Sequence, residues 1–212
     1  MLFLQLELPQ LIALLVALVV GITFHEFMHA FTADQLGDHR PRALNRVSLN
    51  PVNHIDPMGA LFFLIAGFGW GKPVPVNGYA LRPGRIGMAY VAAAGPLANV
   101  VVALVAAVAF RAADLAGVLG DPSGFTWQLV IGIVQFNIIL GLFNLLPIPP
   151  LDGYNLVLPF LPVRTAMTVQ RYAPYGVIVL LLLILLPRTG GASPLDWLFS
   201  AASAITLALT GA

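Results

Sequence analysis

Apolar residues run along this chain in long blocks that polar residues interrupt at only a few places. Residues 9–36 form the first block, with Pro9 near its start and Gly37 just past its end, the residues that helix termini favour. Residues 86–110 form a second block, rich in alanine and valine, and 126–146 a third that stops at the prolines of "LLPIPPLDG". A membrane-spanning helix needs about 20 mostly apolar residues, so each block predicts one span. A fourth helix is expected from about Pro174 to Leu186, extended N-terminally to reach span length, and 195–211 is a fifth candidate that either spans or lies in the interface.

The pattern breaks between the first two blocks. "PMGALFFLIAGFGW", residues 57–70, is apolar but too short for an ordinary span. "GWGKPVPVNGY" follows, and its alternating valine and proline favour extended backbone over helix. A re-entrant loop with a short β-hairpin accounts for both halves, and such backbone survives at membrane depth only when buried in protein or lining a wet cavity. The cations agree. Arg40, Arg42, Arg46, Lys72, Arg82 and Arg85 fall between the first and second blocks, and Arg164 and Arg171 between the third and fourth. If 57–70 returns to the side it came from, these lie together and leave Arg111 and Arg188 opposite. The positive-inside rule then puts the cluster in the cytoplasm, the N-terminus outside, and the chain in the cell (inner) membrane.

Composition sharpens the class. The chain is 59% hydrophobic and 9% charged, with a mean hydropathy of +0.91, against about 25% charged residues in soluble domains. An all-α polytopic membrane protein is the expected fold class. It reads as one domain over 1–212, with a core at about 9–155 and C-terminal helices at about 165–211. The net charge of +1 makes nucleic acid no expected partner, and the absence of cysteine removes thiolate ligands and nucleophiles. The N-terminal stretch lacks a basic n-region and a small-residue cleavage site, so the first helix is expected to be retained.

"TFHEFMHAFTA", residues 23–33, places His25, Glu26 and His29 inside the first block, where ionisable side chains are costly and functional by default. His25 and His29 are four apart, so on a helix both project from one face. That spacing suits two imidazoles on one Zn2+, with Glu26 as general base toward a water; H-E-x-x-H on a helix is a metalloprotease pattern for this reason. Two histidines leave a catalytic zinc one protein ligand short. Asp152, beside the proline-broken end of the third block, and His54, in "NPVNHIDPMG", are both open as the third; Asp152 could equally be a helix N-cap. His39, next to Arg40, reads as solvated. Asn99, Asn144 and His54 are candidates for binding a substrate backbone or an oxyanion, the two asparagines equally for hydrogen bonds between helices. Val74 and Val76 are candidates for an edge on which a substrate strand is added.

These residues add up to a resemblance. "HEFMH", "AGPLANV" (94–100) and "FNLLPIPPLDG" (143–153) resemble the site-2 proteases, intramembrane zinc metalloproteases, over roughly residues 20 to 155. "HIDPMG" and "GWGKPVPVN" are similar to the compact prokaryotic subgroup, and no stretch matches a PDZ or CBS module. The resemblance implies one Zn2+ per chain held by His25, His29 and Asp152, with Glu26 as catalytic base. It also implies a three-helix core and a transmembrane protein or peptide as substrate. A zinc-binding transporter or channel and an inactive, binding-only relative are the other classes the composition allows.

Overall fold

The computed structural model describes residues 7–66, 69–122, 124–185 and 194–212. Leu186 and Arg188, and Gly67 and Phe68 of the short apolar stretch, lie outside the described residues. Within them the regular structure is helical: α1 (Leu8–Gln35), α2 (Arg40–Ala43), α3 (Pro57–Ala66), α4 (Arg85–Leu115), α5 (Phe125–Asn144), α6 (Asp152–Val157), α7 (Val163–Tyr172), α8 (Gly176–Leu185) and α9 (Asp196–Thr210). Four stretches are long and apolar enough to cross a membrane: α1, α4, α5 and Val163–Ile184, the last joining α7 and α8 through a 3₁₀ turn at Pro174. This is a polytopic all-α membrane protein.

Helices α1, α4 and α5 pack on one another and form the centre of the molecule. Small residues set their approach: Ala13, Ala17, Ala30 and Ala33 on α1 and Ala92, Ala94, Ala98 and Ala103 on α4 are all buried, as expected where helices associate in lipid by close packing. Their outer faces are the reverse of a soluble protein's. Leu97, Val101, Leu104, Val105 and Val108 of α4 are exposed, a surface for hydrocarbon. Helix α1 ends where the sequence indicates, with Leu36 as C-cap and Gly37 at φ 112°, a value that favours glycine.

Two contacts fix which ends lie together. Arg85, at the start of α4, donates from Nη2 to the carbonyl oxygen of Leu161 at 3.2 Å. Arg111, toward the other end of α4, donates from Nε to the carbonyl oxygen of Leu209 in α9 at 2.7 Å. Asp38, buried just after α1, accepts from Arg40 Nε at 2.9 Å and from the Asn77 backbone N–H at 2.6 Å. The Arg40 hydrogen bond holds its carboxyl below the usual carboxylate range. His39 is exposed as expected, but it is not merely solvated: its Nδ1 lies 3.0 Å from Asp34 Oδ1, which Arg42 also engages.

The short apolar stretch returns on itself. Helix α3 is ten residues long, about 15 Å at 1.5 Å per residue, roughly half the hydrocarbon thickness. Its flanks meet, because Ile55 and Gly71 form an antiparallel bridge and the Lys72 N–H donates to the His54 carbonyl at 2.7 Å. The β-hairpin expected within 69–79 is not formed. The described residues contain only that isolated bridge, and 72–77 are irregular with no ladder partner. Pro73 and Pro75 explain this, since neither can donate to a ladder and the alternation leaves only every second N–H available.

Helix α9 settles against α4 and α5. Leu198, Ala202, Thr206 and Thr210, spaced by four, form its buried face, and the two threonine hydroxyls bond back to the carbonyls of Ala202 and Thr206. Ala202 is fully buried in a cluster with Ala103, Ala107, Val134 and Ile138. With 15 residues the helix is about 22 Å long, short of a full crossing. Ala202→Leu is expected to overpack this contact and cost about 1–3 kcal/mol, read as a lower unfolding midpoint in detergent; an unchanged midpoint would mean that α9 does not pack here.

Candidate metal centre

One helical turn of α1 carries the two histidines, and the loop after α5 returns an aspartate to meet them. His25 Nε2 lies 3.0 Å from Asp152 Oδ2, His29 Nε2 lies 3.2 Å from the same oxygen, and the two Nε2 atoms are 3.0 Å apart. His25 and His29 are buried and Asp152 nearly so. Among the described residues these are the three His, Asp or Glu side chains grouped so as to hold a metal. His54 is not with them. It is fully buried, its Nε2 donates to the Ser48 carbonyl at 2.6 Å, and burial keeps its pKa below the ordinary histidine value. As a third ligand it is ruled out by that orientation, and it does not line the cavity either.

The far nitrogens decide the tautomers. His25 Nδ1 lies 2.7 Å from Asn99 Oδ1, and His29 Nδ1 lies 2.7 Å from the carbonyl oxygen of Val91. Carbonyl and amide oxygens only accept, so each Nδ1 carries the proton and each Nε2 presents a lone pair. Asn99 cannot turn over, because its Nδ2 donates to the Gly21 carbonyl at 3.1 Å and to Asn137 Oδ1 at 2.8 Å. Asn137 in turn donates to the Ile133 carbonyl at 2.8 Å. The hydrogen-bond direction therefore runs one way through both amides, and both are fully buried.

With both imidazoles neutral, two lone pairs and a carboxylate oxygen thus face one another. Such a set repels itself unless a proton or a metal cation sits among its members. Ligand atoms 2.0–2.1 Å from a tetrahedral zinc lie about 3.3 Å apart, close to the observed spacings. The donor set therefore fits Zn2+, with a position left for a fourth ligand, and each histidine has the outer hydrogen bond that metal-bound imidazoles use.

Gly95 of α4 makes the room. A Cβ there would run into the rings of both His29 and His25, so only glycine lets α4 approach the pair. The next residue, Pro96, lies inside the helix and has no N–H to donate to the preceding turn.

The trio opens on a cavity of about 730 Å³, within the range of small-molecule sites. Glu26 lines it, with its side chain 14% exposed. So do Val74 and Val76 of the extended segment, Asn144, and Asn155 of α6. Asn144 spends its Nδ2 on the Leu140 carbonyl at 3.0 Å and keeps its oxygen. Asn99 does not line the cavity; of its two expected roles, substrate contact and hydrogen bonds between helices, it has the second, with its polar groups used on His25, Gly21 and Asn137. Asn137, Gly95 and Asn155 were not singled out from the sequence. The spacing of Asn99 and Asn137 within two helical blocks is the one signal that pointed their way.

A helical membrane protein with a two-histidine, one-aspartate donor set and an adjacent glutamate is the class defined so far. Comparison with known proteins narrows it. The chain is 36% identical over 177 residues to "Putative zinc metalloprotease YwhC" of Bacillus subtilis, covering 82% of this chain and 80% of that one. It is 31% identical over 190 residues to "Putative zinc metalloprotease Rip2" of Mycobacterium tuberculosis, covering 85% and 70%. No family model and no solved structure matches it. The chain belongs to the site-2 protease family of zinc metalloproteases.

Asn99→Ala removes the acceptor that holds the His25 tautomer. Metal affinity is expected to fall about 10–100-fold, measured by competition with a zinc chelator; unchanged affinity would mean that the amide pair does not orient the ligand.

Proposed function

We propose that this protein hydrolyses peptide bonds of membrane-embedded substrates, as an intramembrane zinc metalloprotease of regulated proteolysis. The observation that carries the reading is the meeting of His25, His29 and Asp152 on a cavity that Glu26 also lines, within helices long enough to span a bilayer. When bound, zinc supplies Lewis acidity and makes a water nucleophilic near neutral pH.

The chain's own groups do the rest. His25 and His29 stay oriented because Asn99 and Val91 accept from their Nδ1–H groups, which turns each Nε2 toward Asp152. Glu26 takes the proton of the attacking water and delivers it to the departing amine. A substrate helix must unwind before attack, and its freed backbone groups cost several kcal/mol each in lipid. The extended segment at Val74 and Val76 lies on the cavity wall with no ladder partner among the described residues. It offers its backbone for strand addition, which offsets part of that cost. Asn144 and Asn155 face the same space and supply amides to the substrate backbone or the developing oxyanion.

The partners of this reading are a transmembrane protein or peptide and the bilayer itself. The meeting of the Arg85 end of α4 with residues 158–161 supports a cationic face on one side, taken here as cytoplasmic, with the N-terminus outside and the site open to the cytoplasm of a cell (inner) membrane. Two experiments test the proposal. Glu26→Gln should keep one zinc per chain yet lose at least about 100-fold in cleavage of a single-span test substrate, whereas a zinc transporter would show no proteolysis in either form and an inactive relative none in the wild type. Val52→Cys, in the exposed loop beside Asn53 and in a chain with no cysteine, should react with an impermeant thiol reagent only from the cytoplasmic side; labelling only from outside would reverse the topology.

A further inference from the structure

The loop after α2 buries a cation with no role in the arrangement above. Arg46 is 4% exposed and does not line the cavity. Its Nη2 donates to the carbonyl oxygen of Lys72 and lies 3.9 Å from Glu26 Oε2, while its Nε has no partner. A guanidinium out of water costs several kcal/mol unless its charge and hydrogen bonds are used. Burial does push the Arg46 pKa down, against the pull of Glu26. A neutral side chain could have filled the space, so the charge needs a reason.

Its surroundings supply one. The N–H of Lys72 donates to the His54 carbonyl at 2.7 Å, so both backbone groups of Lys72 are tied to residues 46–54. That loop is itself fixed, by the Arg46 N–H on the Pro41 carbonyl at 2.8 Å and His54 Nε2 on the Ser48 carbonyl at 2.6 Å. Immediately after Lys72 the chain becomes the cavity wall at Pro73, Val74 and Val76. Immediately before it, Gly71 lies so near Glu26 that a Cβ would come within 3.2 Å of Oε1. One nitrogen of the guanidinium, Nη2, therefore touches the wall segment and faces the carboxylate.

We propose that Arg46 is a positioning residue that holds the Glu26 carboxylate and the extended segment 73–76 in one register, so that a peptide laid on that segment meets the base in line. The proposal rests on the protease reading of the same site. It depends on the reach of arginine as well as its charge: both contacts are made from Nη2 at the tip of the side chain, whereas a lysine ammonium is carried on a shorter stem.

The test uses the purified full chain with Arg46→Met and Arg46→Lys. Zinc per chain, kcat and KM on a single-span substrate are measured, together with the mobility of a nitroxide at Val74→Cys, which would carry the chain's one cysteine. Expected for Arg46→Met are unchanged zinc, kcat lower by about 10- to 100-fold, a raised KM and a more mobile nitroxide. Arg46→Lys should recover part of kcat by restoring the charge and leave the nitroxide loose. The proposal is overturned if kcat and KM do not change, if kcat falls only in step with lost zinc or folded protein while KM stays put, or if the nitroxide is equally immobile in every form. Should the wild type cleave nothing, the protease reading falls, and the nitroxide still decides whether Arg46 holds the segment.

Discussion

Three lone pairs pointed at one another inside a bilayer repel, and much of the molecule exists to hold them there. His25 and His29 cannot relieve the repulsion by turning, because their Nδ1 protons are bound to Asn99 and Val91. Asp152 cannot retreat far, since it opens a short helix packed on α4. The three are largely buried in protein, where screening is weaker than at a solvated surface, so each constraint carries more weight. The repulsion is relieved by a proton or a metal ion held between them. A metal-binding site is in this sense the simplest explanation of the hydrogen bonds around it.

The same economy shapes the scaffold. Alanines on α1 and α4 bring the helices close, and Gly95 takes this furthest, leaving the space that the two rings fill. Asn99 and Asn137 join α1, α4 and α5 through buried amides, so the polar contact that orients a ligand also locks the three central helices together. Buried polar chains of this kind are worth having only when every member is satisfied, and both amides here are. The irregular backbone of 69–77 survives beside them because it lines a cavity and is anchored at Ile55, His54 and Arg46.

Much of this could be read in the sequence, and the boundary between what could and could not is physical. Length and hydropathy located α1, α4 and α5, because spanning a bilayer fixes both quantities. The four-residue spacing of His25 and His29 defined one face of a helix before any tertiary contact was known. What stayed hidden was direction. The residues alone could not choose between Asp152 and His54, which differ only in where their side chains turn; the family resemblance pointed to Asp152. For Asn99 the residues left substrate contact and interhelix hydrogen bonding equally open, and the structure has the second, while Gly95 works by an absence that means nothing until its neighbours are known. The hairpin expected in 69–79 failed on Pro73 and Pro75, which favour extended backbone but deny it a ladder.

X-ray absorption at the zinc edge of the purified wild-type chain tests the central claim most directly. Stoichiometric zinc with two imidazole nitrogens and carboxylate oxygen in its shell, reduced to one imidazole by His29→Ala, is the expected result. Zinc below stoichiometry, or a shell without imidazole, would contradict the site and the chemistry built on it.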